Sequence, residues 1–218
     1  MWRKPVLPAA AVAFAAGLTL TAVAIVVTMS GSPLVVAHAN TTTAAKPIIR
    51  AGSHAGACQV EELLPAGISA IRIPLLADTG PRVKVAVLRG PQSLASGVVD
   101  SGWTSGAVTV PVKPVQQAFY HVRVCFGLGP TSERVRLDGS IASAAVAARS
   151  LTGAVLPGRF TVEYMRRGSS SWWSLAETVA RHMGLGRALS GSGIALLVLA
   201  LMGTAIAAGS WLVVKELR

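Results

Sequence analysis

The sequence predicts a mainly β protein, an antiparallel β-sandwich of jelly-roll-like arrangement. An N-terminal and a C-terminal transmembrane helix are expected to flank it, with a short interfacial helix before the second. Three observations predict this. Two long apolar blocks without charge occupy residues 6–28 and 191–214. Between them lies a series of short segments in which apolar and polar residues alternate. The two cysteines, Cys58 and Cys125, both fall in that middle region.

Of the 218 residues, 52% are hydrophobic and 13% charged, whereas a soluble domain carries roughly a quarter charged residues. The excess sits in the two blocks, each long enough for a bilayer core, which needs about 20 helical residues. Arg3 and Lys4 precede the first block, so the N-terminus is expected to stay inside and everything downstream to be exported. Ala37-His38-Ala39 matches a signal-cleavage site, so residues 1–28 read as an anchor or as a cleaved signal. Residues 29–56, with Ser-Gly-Ser-Pro and Asn40-Thr41-Thr42, show no period and read as a flexible linker; Asn40 also heads a short glycosylation sequon. The organisation predicted is then an extracytoplasmic β domain at 57–165, a juxtamembrane segment at 166–190, the span at 191–214 and a cytoplasmic tail at 215–218.

The strands follow from period two with one apolar face. Ile71, Ile73 and Leu75 share a side, as do Val83, Val85 and Val87, then Val108, Val110 and Val112, then Tyr120, Val122, Val124 and Phe126. Val135, Leu137, Phe160, Val162 and Tyr164 extend the pattern. Pro74 and Pro111 lack an amide donor, which predicts edges or bends. Two cysteines in an exported domain read as a disulfide. Cys125 shares its strand face with His121 and Arg123, opposite the apolar face. The predicted bond is therefore a peripheral staple rather than a link through the core, unless a bulge near His121 changes the parity. Residues 141–151 are alanine-rich and admit a helix or a loop.

In the juxtamembrane segment, Ser174 and Glu177 form a capping box that predicts a helix from Ser174 to about Met183. Trp172 and Trp173 suit a headgroup region, and Arg166, Arg167, Arg181 and Arg187 surround them; Trp211 suits the far interface. These residues predict an elbow against anionic lipid. Ser171-Trp172-Trp173-Ser174, followed by Met183-Gly184-Leu185-Gly186-Arg187 and an apolar span, resembles a segment of actinobacterial membrane-anchored envelope proteins of no assigned function. The resemblance implies a cell-envelope setting alongside surface-polysaccharide machinery and implies no catalytic residue.

The formal net charge of +11 points toward acidic partners such as anionic lipid or a charged polysaccharide; export argues against nucleic acid. Arg72, Lys84, His121, Arg123, Arg134 and Arg136 fall at outward strand positions, a possible face for an anionic ligand. Catalytic constellations are wanting in the sequence. His38, His54, His121 and His182 have no partner at metal-ligand spacing, and no cofactor fingerprint occurs. Glu61 and Glu62 are neighbours, so on a strand they point to opposite faces. Asp78, Asp100 and Asp138 sit in turn-like contexts, and Asp78-Thr79-Gly80 is too short a match to an aspartic-protease signature to count. The expected function is a non-catalytic, membrane-anchored extracytoplasmic module that binds or positions an envelope glycan or a partner membrane protein. The alternatives are an envelope hydrolase or transferase with a dispersed site, and a purely structural spacer.

Overall fold

The computed structural model describes residues 7–40, 46–52 and 54–182, together with positions 200, 203 and 204. The chain divides into two compact units, one running from Leu34 to Arg167 and the other made of the segments on either side of it.

The unit Leu34–Arg167 is built from two antiparallel sheets. The strands are β1 (Leu34–Ala39), β2 (Lys46–Ala51), β3 (Gly56–Leu64), β4 (Ala70–Leu76), β5 (Val83–Arg89) and β6 (Gln92–Val99). They continue as β7 (Gly106–Pro111), β8 (Phe119–Leu128), β9 (Val135–Ile141), β10 (Arg149–Ser150), β11 (Gly158–Phe160) and β12 (Glu163–Arg167). One sheet has seven strands in the order β1-β12-β4-β9-β11, with β2 also on β9 and β7 also on β4. The other has five, in the order β10-β3-β8-β5-β6. Seven and five strands in these orders differ from the two four-stranded sheets of a jelly roll, and the jelly-roll expectation is corrected accordingly.

Alternation places the core. Ile71, Ile73, Leu75, Val83, Val85, Val87, Val108, Val110, Val122, Val124, Phe126, Val135, Leu137, Phe160, Val162 and Tyr164 are all buried in one cluster, and Phe126 of β8 meets Phe160 of β11 edge-to-face. Tyr120 is the exception among the expected inward residues, being 67% exposed. Two bulges explain it. β3 carries an extra residue between Gln59 and Glu62, and β8 carries one between Phe119 and Val122. Glu61 and His121 take up the left-handed conformation there, at φ 59° and 53°, as bulged residues do. The β3 bulge turns Gln59, Glu62 and Leu64 all inward. The β8 bulge lies before Val122, so it turns Tyr120 out and leaves the parity of Cys125 intact.

Three further expectations are corrected. Residues 29–56 are not an unstructured linker, since β1 pairs with β12 and β2 with β9. Sparse periodicity hid these strands, which add to sheet edges already formed by others. Asn40 is held in place: its Nδ2 donates to Glu62 Oε1 (3.2 Å) and Phe160 O (2.9 Å), and its Oδ1 accepts from Val162 N. Glycosylation at this asparagine would remove these contacts. Pro74 lies in β4, which is interior rather than an edge. One side of β4 pairs with β12 at Ala70–Arg72 and then with β9 at Leu75–Leu76, so Pro74 falls where the neighbour changes. Pro111 ends β7, which pairs only with β4. Asp138 sits within β9 rather than in a turn, opposite Pro47 and 3.0 Å from Arg136 Nε.

The sandwich closes along one side where β6 and β7 approach. A Cβ on Gly97 would lie 2.0 Å from Pro111 O, so only glycine admits this contact. Residues 141–151, which admitted helix or loop, form turns leading into the two-residue β10, with Ala147 and Ala148 buried.

The second unit contributes α1 (Leu7–Ser30) and α2 (Trp172–His182). Gly168 N donates to Pro33 O (2.8 Å) and Trp172 N to Gly31 O (3.1 Å). The expected pair of transmembrane helices is overturned: among the described residues no helix is long and apolar enough to cross a membrane. A span needs about 20 continuous residues of apolar helix. Side chains of α1 are described from Ala16 onward, and only 200, 203 and 204 of the second block are described. The tail at 215–218 lies outside the described residues. α2 begins at Trp172, earlier than the capping box implied. Ser171 caps it, its Oγ accepting from Ser174 N (3.4 Å) and its carbonyl from Leu175 N (3.2 Å). The tryptophans therefore form the first helical turn.

Candidate functional site

Cys58 and Cys125 are bonded. They are directly opposite in the β3–β8 register and half-buried on the outer face of the five-stranded sheet. This is the peripheral placement that strand parity predicted. Around the sulfurs the same face is shallowly concave. One depression, about 340 Å³, is lined by Cys58, Val60, Arg123, Arg149 and Leu151 among others. A second, about 550 Å³, is lined by Cys125, Lys84, Ala86, Ser96, Gly127 and Leu151 among others. Leu151 is common to both, and the disulfide links a residue of one lining to a residue of the other, so the two depressions adjoin and together make a trough-like face.

The local sequence explains the shape. Outward positions of β3, β8, β5 and β6 carry small residues, namely Cys58, Cys125, Gly127, Ala86 and Ser96, so the sheet surface is low. Leu151 rises beside it. Its amide donates to Gly56 O (3.2 Å), and its side chain lies where a Cβ on Gly56 would stand, 2.8 Å from that point.

The trough is basic. Lys84, Arg123 and Arg149 are exposed on its walls, and no carboxylate lines either depression. Elsewhere in the unit, five carboxylates are matched by cations: Glu163 with Arg72, Asp100 with Arg82, Glu61 with His121, Asp138 with Arg136 and Glu62 with Arg159. The register sets the spacing of the trough cations. Arg149 stands opposite Cys58, Cys58 opposite Cys125, and Cys125 opposite Ala86. Arg123 and Lys84 are each displaced two residues along their strands. With strands about 4.8 Å apart and a rise of about 3.3 Å per residue, their Cα atoms stand about 12–16 Å from one another. The three cations are thus spread across four strands of the sheet face rather than gathered at one point.

The six cations that would form an anionic-ligand face if they shared one sheet do not share one. Lys84, His121 and Arg123 belong to the five-stranded sheet. Arg72 and Arg136 lie in the seven-stranded sheet, with Arg134 just before β9. Arg72 is committed to Glu163 and Arg136 to Asp138, while His121 faces Glu61. Outward parity alone does not say which of two sheets a strand joins. Arg149 was missed because it sits in the alanine-rich stretch without a strand period; its only local signal was a cation ahead of a Ser-Leu-Thr-Gly turn.

A second polar cluster is buried. Glu62 is 3% exposed and Gln59 fully buried. Glu62 Oε1 accepts from Gln59 Nε2, Asn40 Nδ2 and Arg159 Nη2, the last at 2.6 Å. Gln59 also bonds the Phe160 backbone, its Oε1 accepting from Phe160 N (2.9 Å) and its Nε2 donating to Phe160 O (3.2 Å). The cluster ties the chain around Asn40 and β11 to β3. Nearby Tyr164 is buried, and burial pushes its phenol well above the usual range, with the Glu62 charge adding to the rise and Arg159 opposing it. Among the described residues its hydroxyl has no hydrogen-bond partner. The hydrogen bonds of Gln59, Glu62, Asn40 and Arg159 join β3 to β11 and to the chain at Asn40, and the cluster works as a clasp.

Of the expected interface residues, Arg166 and Arg167 are exposed at the end of β12, and Trp172 and Trp173 are 42% and 51% exposed. The Arg181 side chain, Arg187 and Trp211 lie outside the described residues. Among the described residues no group of His, Cys, Asp and Glu is arranged to hold a metal ion. Comparison of the chain with protein-family models, curated proteins and solved structures returned no match.

Proposed function

We propose that the β unit is a non-catalytic binding module for an extended, acidic glycan of the cell envelope, received in the trough of the five-stranded sheet. The observation that carries this reading is the triangle of Lys84, Arg123 and Arg149 around a low apolar floor with no carboxylate in its lining. Cations at this spacing match charges that recur along a polymer, and the apolar floor suits the faces of sugar rings. A non-catalytic role is supported by the lining of the trough, in which no carboxylate or histidine takes part among the described residues. An oxidising compartment outside the cytoplasm rests on the Cys58–Cys125 bond.

The test is binding of the purified chain to a polyuronate and to neutral dextran of the same length. Saturable binding to the polyuronate that weakens with salt, with none to dextran, supports the reading. Equal affinity for both sinks it.

A second surface is favoured by the exposed Trp172 and Trp173. Trp172, Leu175 and Val179 recur at helical spacing along α2, and the three are half-buried or exposed. We propose that this stripe rests at an anionic lipid headgroup layer, where an indole satisfies both the apolar and the polar side.

A further inference from the structure

We propose that Cys58–Cys125 is a site of thiol–disulfide exchange with an external dithiol, in addition to being a covalent tie. Three observations of the same place converge on this, and none depends on the glycan reading.

Access comes first. Both sulfurs face outward; Cys58 lines one depression and Cys125 the other, so a thiolate can approach along the trough without opening the core. A disulfide sealed between the sheets would offer no such route.

Charge comes second. Arg149 is opposite Cys58 in the ladder, Arg123 is two residues from Cys125 on the same face, and Lys84 is two residues from Ala86, which faces Cys125. Cations beside a sulfur favour its thiolate. They draw in an attacking thiolate and also stabilise the one that leaves.

Redundancy comes third. The cysteines join strands already paired from Gly56↔Gly127 to Gln59↔Val124, and β8 is held on its other edge by β5. The inward neighbours Ala57, Gln59, Val124 and Phe126 keep the core side of both strands buried. The sheet therefore keeps its backbone ladder and its packing once the sulfurs separate.

In the reaction, a thiolate of the dithiol attacks Sγ of one cysteine and forms a mixed disulfide. The bond between Cys58 and Cys125 breaks, and its electron pair leaves on the other sulfur as a thiolate beside the cations. The second thiol of the reductant, deprotonated, then attacks the mixed disulfide from its own side. Two electrons pass to the pair, the dithiol leaves as a disulfide, and both cysteine thiolates take up the protons released.

The experiment treats the purified full chain in native buffer with millimolar dithiothreitol, quenches with iodoacetamide at intervals and locates the label by peptide mass spectrometry. Circular dichroism is recorded in parallel. The expected result is labelling of Cys58 and Cys125 within minutes while the β spectrum stays unchanged. Arg123→Ala is expected to slow the exchange about threefold, because the leaving thiolate loses a neighbouring cation and a less stabilised thiolate leaves more slowly. Labelling that appears only in denaturant, or only as the β spectrum is lost, overturns the proposal. So does an Arg123→Ala rate equal to that of the unaltered chain.

Discussion

Glu62→Ala removes the one acceptor that three side chains share. In the folded chain Glu62 Oε1 receives Gln59, Asn40 and Arg159, with Glu62 only 3% exposed. The Arg159 side chain is 22% exposed, so water compensates its guanidinium only in part. Gln59 keeps its bonds to Phe160 but loses its ionised partner. Breaking a buried pair by deleting one member costs about 3–5 kcal/mol, most of it from the charge and donors left behind. The upper part of that range applies if Asn40 lets go of Phe160 and Val162, because the chain leading from β1 would then lose its anchor. Glu62→Gln keeps an oxygen acceptor and loses only the charge, so about 1–2 kcal/mol is expected, the difference between a charge-assisted and a neutral bond. Urea unfolding followed by circular dichroism, with the disulfide intact in every variant, gives both values from the shift in midpoint at constant m. Against a typical total stability of about 5–15 kcal/mol, the alanine variant should unfold at a clearly lower midpoint. A loss under about 1 kcal/mol for Glu62→Ala would refute the clasp and would mean that Arg159 and Gln59 find other partners at no cost.

The remaining predictions concern the trough, the core, the sandwich seam and α2. Replacing Lys84, Arg123 and Arg149 together by alanine should weaken polyuronate binding about 100-fold at low salt, from about 1 kcal/mol per exposed charge contact; titration calorimetry reads it, and an unchanged affinity would move the site elsewhere. Tyr164→Phe should stabilise the protein by about 1 kcal/mol or more, because it deletes a buried hydroxyl without a partner. The folded phenol ionises only far above its ordinary value near 10. Stability owed to it is therefore complete below about pH 10 and falls as pH rises further, since the unfolded chain alone loses the proton. The gap between Tyr164→Phe and the unaltered protein in urea midpoint should widen above that pH, and a gap that stays constant would count against the burial of the phenol. Gly97→Ala should push β6 away from Pro111 O and cost about 1–3 kcal/mol, visible as a lower thermal midpoint. Trp172→Ala with Trp173→Ala should abolish binding to vesicles containing anionic lipid, measured by sedimentation; retention of full binding would remove α2 from the lipid contact.

The strands that alternate were legible in the residues alone. Val83, Val85 and Val87, or Ile71, Ile73 and Leu75, admit one inward face because the side-chain period of a strand is two, and the structure buries them together. The same parity placed Cys125 on the outside. Tyr120 shows where local reading stops: one left-handed residue at His121 shifts the pattern, and nothing adjacent announces it. β1 and β2 were illegible for a related reason. Edge strands take their place from a partner's free backbone groups rather than from their own side chains.

What the amino-acid sequence determined by itself is therefore the mainly β character, most of the buried face and the outward disulfide, because each follows from neighbours along the chain. The helices expected to cross a membrane rested on apolar length alone, and the described residues contain no helix that meets that requirement. Only the tertiary structure decided which cations meet. Arg149, Arg123 and Lys84 share one face because β10, β3, β8 and β5 lie side by side in one sheet, while Arg72 and Arg136 are carried off to the other. Strand order depends on pairings between residues far apart in the chain, and the backbone groups that make those pairings are identical at every residue.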